Sequence, residues 1–146
     1  MRAVALIGPV ASGTSTLTLL QLLAGTNREL RITEVGISFQ GTDNLAEPVQ
    51  VELLRQSTAG TASSLTVVKG DGSDSNTIDA TAQQTFTAEP TAGAILRQWL
   101  VHPQSGLIYQ PQDKDKLTVP GGARIGLRVV TPDADTPVTA YIEFEE

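Results

Sequence analysis

VTAYIEFEE, residues 138–146, places Val138, Ala140, Ile142 and Phe144 at every second position, with Thr139, Tyr141, Glu143 and Glu145 between them. Helical side chains return to one face every 3.6 residues or so, and strand side chains every two. This alternation therefore demands a strand with one face on a core. RIGLRVV, residues 124–130, repeats it, with Ile125, Leu127 and Val129 inward and Gly126 and Arg128 outward. VQVELL, residues 49–54, does the same with Val49, Val51 and Leu53.

LRITEVGISF, residues 30–39, changes phase partway. Val35, Ile37 and Phe39 share one face, and Leu30 and Ile32 fall in the other. A bulge near Thr33 and Glu34, or burial on both faces, would account for this. Further strands are expected over Leu17 to Leu23, over Leu65 to Val68, and in ILRQWLVH, LIYQ and KLTV. Turn chemistry separates them: Gly25-Thr26-Asn27, PQSG, Pro120-Gly121-Gly122 and TPDADTP. QGTDNLAEP (40–48) and KGDGSDSN (69–76) read as loops, and STAGTASS (57–64) as a flexible connection. Residues 78–94 show little pattern beyond Phe86 in a Thr, Ala and Gln background.

About eight to ten short strands, without strand–helix alternation, exclude a parallel α/β sheet and predict an all-β fold. Composition agrees: aromatics are 4% of the chain, so Val, Leu, Ile, Thr and Ala must fill the interior. The expected architecture is an antiparallel β-sandwich, with the jelly roll as its specific form. It would occupy residues 16–146 as one domain behind an extended N-terminal arm, residues 1–15.

That arm contains a decoy. GPVASGTST, residues 8–16, spaces Gly8 and Gly13 as a phosphate-binding loop would. The loop needs a lysine for the terminal phosphates and a following helix, but Thr14 takes the lysine position. Pro9 removes a backbone donor, and β-type alternation follows. The apolar start is also too short, and too soon broken by Pro9, to be expected as a signal peptide. The better expectation is a tail that pairs at a sheet edge, burying Val4, Leu6 and Ile7. The edge would belong to its own domain or to a neighbouring subunit.

Net charge is −6, and the basic residues lie in scattered pairs, so binding to nucleic acid is not expected. No apolar run is long enough to span a membrane as a helix. With no cysteine there is no disulfide, thiol nucleophile or cysteine-ligated zinc. His102, the single histidine, has no partners at a spacing that supports acid–base work and reads as a turn residue. Asp71, Asp74 and Asp79 offer oxygen ligands for calcium but miss the glycine and glutamate of a helix–loop–helix site. Glu143, Glu145 and Glu146 resemble paired carboxylates, yet a charged edge strand explains them equally. Trp99, Tyr109 and Tyr141 could stack a sugar; a buried Trp99 anchoring a core poor in aromatics is the competing reading. No cofactor or metal is expected, and no enzymatic set emerges.

The stretches ITEVGISFQGT, PVQVELLRQSTAGTASS, WLVHPQSG, VPGGARIGLRV and the ending YIEFEE cover most of residues 30–146. In them the chain resembles small structural proteins of tailed-bacteriophage virions, particularly head decoration or auxiliary capsid (cement) proteins. The resemblance implies a jelly-roll or related fold and assembly as a homotrimer on the major capsid protein. It also implies location on the capsid exterior after synthesis in the host cytoplasm. A phage tail or baseplate component, or a carbohydrate-binding sandwich, are the alternatives.

Overall fold

The computed structural model describes residues 1–40 and 47–146. The part of the expected 40–48 loop between them lies outside the described residues. In chain order the strands are β1 (Arg2–Ala11), β2 (Leu17–Leu23), β3 (Leu30–Phe39), β4 (Val49–Gln56), β5 (Thr61–Leu65) and β6 (Val67–Lys69). They continue as β7 (Thr81–Ala88), β8 (Ala92–Val101), β9 (Leu107–Tyr109), β10 (Leu117–Val119), β11 (Arg124–Val130) and β12 (Pro137–Glu145).

These strands form two packed six-stranded antiparallel sheets, a β-sandwich. One, sheet A, runs β10-β3-β12-β1-β6, with β9 also on β3; the other, sheet B, runs β5-β7-β2-β11-β4-β8. The alternating strands behave as their patterns require. Val138, Ala140, Ile142 and Phe144 of β12 are fully buried, as are Ile125, Leu127 and Val129 of β11. Burying one such large aliphatic or aromatic side chain contributes about 1.5–3 kcal/mol relative to exposure. The phase change in β3 is resolved by a bulge. Glu143 pairs with Glu34 and Phe144 with Ile32, so Thr33 is the extra residue, and Leu30 and Ile32 join Val35 in the core.

The N-terminal segment is not an arm. Residues 2–11 are β1, an interior strand of sheet A, paired with β12 from Arg2 to Ala11 and with β6 over Ala3–Ala5. The reason is Ala3, Ala5 and Ile7, all fully buried: two inward positions carry methyl groups too small to announce a core strand. The sandwich thus begins at Arg2, not at residue 16. STAGTASS also differs from expectation, since its second half is β5, and the unpatterned 78–94 segment contains β7 with Phe86 buried. The chain passes from β5 in one sheet to β6 in the other through Thr66 alone.

Candidate functional site

Two surfaces break the rule that large apolar side chains turn inward. The first is the outer face of sheet A. Cross-strand partners stand on the same side of a sheet, so Leu6, Tyr141, Gly36 and Ile108 form one outward row across β1, β12, β3 and β9. Leu6 is 53% and Ile108 66% exposed. A neighbouring row carries Val4 opposite Val68, and Val68 is 56% exposed.

Charged and hydroxyl groups set the frame of this face. Tyr141 Oη donates to Glu34, which also accepts from Gln110 Nε2. These bonds, the Tyr141 one first, hold the Glu34 carboxyl below its ordinary value. Burial, then the Glu34 bond, pushes the Tyr141 phenol up to about 12. The Tyr141 ring packs against Gly36, where a Cβ would come within 2.1 Å of it. Beside it, Gly36, Ser38, Gly106, Ile108, Thr139 and Tyr141 border a cavity of about 220 Å³. Arg2 pairs with Glu143 at the far side.

The second surface is β8, an edge of sheet B whose only partner among the described residues is β4. Ile95 and Leu100 are 48% and 73% exposed there. Trp99 faces the opposite way, opposite buried Val51. Its ring meets Tyr109 of β9 at 5.2 Å and 50°, bridging the two sheets, with the Arg97 guanidinium 5.7 Å from the Tyr109 ring. Trp99 and Tyr109 therefore do come together, but from different sheets and as a tilted, half-buried pair rather than a flat platform. Tyr141 lies apart from them on the outer face of sheet A.

Among the expected oligomer contacts, the pleat divides the set. Ile7 is buried inside its own sandwich, while Val4 and Leu6 sit on the outer face. The signal for the missed positions was present. In ILRQWLV the apolar residues occupy both phases, so one of them had to end outside.

The other candidates are engaged locally. Gly13 N–H donates to Asp135 at 2.9 Å, and strand β2, not a helix, follows this turn. His102 Nδ1 accepts from the Gln104 N–H, and its carbonyl from Ser105 and Gly106, which caps the turn. Asp71 accepts from Ser73 N–H and Oγ, bonds that lower its pKa; Asp74 accepts from Asn76. Asp79 pairs with Arg28 at 3.2 Å. The three terminal glutamates diverge: Glu143 to Arg2, Glu145 to Lys116, and Glu146 to the backbone N–H groups of Asp79 and Ala80. Among the described residues no three His, Cys, Asp or Glu side chains converge as metal ligands, and no helix is long and apolar enough to cross a membrane.

One polar network lies under cover. On the outer side of sheet B, Gln21 Nε2 donates to Gln56 Oε1 at 2.7 Å and to Thr58 O at 3.0 Å. Gln56 Nε2 donates to Thr18 Oγ1, which donates to Glu89. Gly126 makes room for this, since a Cβ there would sit 2.2 Å from Gln56 Oε1. The 57–60 and 89–91 segments close over it, joined by Ser57 N–H to Thr91 O at 3.0 Å. Gln21 and Gln56 are buried within it, Glu89 is at its exposed end, and its bonds fix the position of the two loops. Comparison with family models, curated proteins and solved structures finds no match to this chain.

Proposed function

We propose that this chain is a non-enzymatic structural protein of a virion, one that binds the outer surface of a capsid shell as an oligomer and stabilises the shell. One observation carries the reading. Five large apolar side chains, Leu6, Val68, Ile95, Leu100 and Ile108, stand in water on two separate surfaces, while His102 is held in its own turn and Glu143, Glu145 and Glu146 each go to a different partner. A protein that works by covering and being covered needs such surfaces, and weak contacts multiplied over many copies add to a large total. The strand order, β3-β12-β1 facing β2-β11-β4-β8, supports the jelly-roll form that the decoration-protein resemblance implies. A net charge of −6 suits an outer surface better than contact with packaged nucleic acid. The trimer is the assembly implied by the resemblance, with the major capsid protein as the second partner. A tail or baseplate position would use the same surfaces.

The test is made on purified protein and on phage shells assembled without it. Light scattering after size exclusion should give an oligomer mass. Added protein should sediment with the shells and raise their melting temperature by several degrees. Leu6→Glu with Ile108→Glu should leave the chain folded and abolish both effects. A monomer that neither sediments with shells nor changes their melting would overturn the proposal.

A further inference from the structure

We propose that β8 pairs with β8 of a second copy, antiparallel and across a two-fold axis, so that two sheets B join edge to edge. The inference deepens the oligomer reading above and rests on it for its biological setting.

The argument begins with the four sheet edges. A free edge offers unpaired N–H and C=O groups to any strand, and proteins blunt it with short strands, charges, proline or cover. β6, β9 and β10 have three residues each, too short to template a partner. β5 has five, TASSL, mostly polar, with a register break against β7. β8 has ten, AGAILRQWLV; its register against β4 breaks near Leu54 but runs regularly from Leu53 opposite Arg97 to Val49 opposite Val101, a longer stretch than any other edge offers. β8 holds no proline and one charged residue, Arg97. That guanidinium is turned away, donating to Tyr109 Oη at 3.0 Å and to Leu96 O.

Charge favours a second copy as the occupant. Two chains of charge −6 repel, so contact is easiest where the acid is absent. β8 carries no carboxylate, and Glu52 on the adjoining β4 is neutralised by Arg128 at 2.7 Å. Symmetry supplies the rest: an antiparallel strand is its own partner across a two-fold axis, so one sequence serves both sides. Ile95 and Leu100, outward and exposed, would then meet their counterparts across the seam. Ten residues extend about 34 Å. A seam of that length buries less than the roughly 800 Å² per partner of a stable complex, so it acts as a link between larger assemblies. The outer face of sheet A stays free for other contacts.

The native chain has no cysteine, so single cysteines report without background. Opposed Cα atoms in an antiparallel pair stand about 4.5–5.5 Å apart, within disulfide reach. Ile95→Cys, Gln98→Cys and Leu100→Cys, oxidised alone and in pairwise mixtures, cover the registers that oppose outward residues. Covalent dimer is expected from at least one combination and not from Ser63→Cys on the β5 edge. Gln98→Lys with Leu100→Lys should abolish the concentration-dependent doubling of mass while leaving the melting temperature within a few degrees. Absence of covalent dimer from every β8 cysteine, or equal yield from Ser63→Cys, overturns the seam. The experiment needs no shell: cross-linking without shell binding sinks only the virion reading, and shell binding without cross-linking sinks only the seam.

Discussion

At the scale of single residues, the outer face of sheet A is organised by Gly36. The Tyr141 ring occupies the space its missing side chain leaves, and that position delivers the phenol to Glu34. Gly36→Ala would drive a Cβ into the ring and force it off its rotamer, costing about 1–3 kcal/mol. Urea unfolding would read this as a lower midpoint, and an unchanged midpoint would mean the ring has room to move. The same tyrosine makes stability depend on alkaline pH. An unfolded chain releases the phenol proton near pH 10.0, whereas the folded chain holds it to about 12. Between those values the unfolded state binds fewer protons, so the Tyr141 contribution is whole below the window and is lost as pH rises through it. Tyr141→Phe should flatten the stability curve measured across that window. Glu34 works in the opposite sense: its lowered pKa contributes above the ordinary carboxylate range and is lost as pH falls through the folded value.

At the scale of elements, β1 decides whether the N-terminal residues are ornament or frame. A chain starting at Ser15 would lose Ala3, Ala5 and Ile7 from the core and strip β12 of one of its two long neighbours. It should fail to fold, losing its strand signal in circular dichroism and its cooperative urea transition. A truncated chain that kept both would show β1 to be dispensable after all. What could be read in advance follows from side-chain size. β11 and β12 alternate large inward groups with polar outward ones, and β3 revealed even its bulge at Thr33. β1 was unreadable as a core strand because alanine scores as neither loop nor anchor. β7, TAQQTFTA, hid because Gln83 sits opposite the covered Gln21 and Thr85 takes a positive φ of 56°, so polar residues fill both phases. At the candidate site, Val4, Leu6 and Ile7 were readable as an apolar set, but the separation of outward Val4 and Leu6 from buried Ile7 needed the register with β12.

At the scale of the molecule, both proposed surfaces follow from how the sandwich is closed. On one side the chain itself straps the sheets together, crossing from β5 to β6 through Thr66. On the side of β8 and β9 the chain crosses again, through residues 102–106; Trp99, Tyr109 and Arg97 fill the gap there with side chains, and among the described residues the outer β8 backbone edge has no partner strand. An acidic chain without cysteine can thus keep a rigid core and still expose one long edge. The placement of Trp99 also makes the molecule optically self-reporting. It is the sole indole, it lies on β8, and Tyr109 stands 5.2 Å away as an energy donor. Emission from the native protein therefore comes from the strand proposed to meet a partner. Association there would register as a colour shift without any dye.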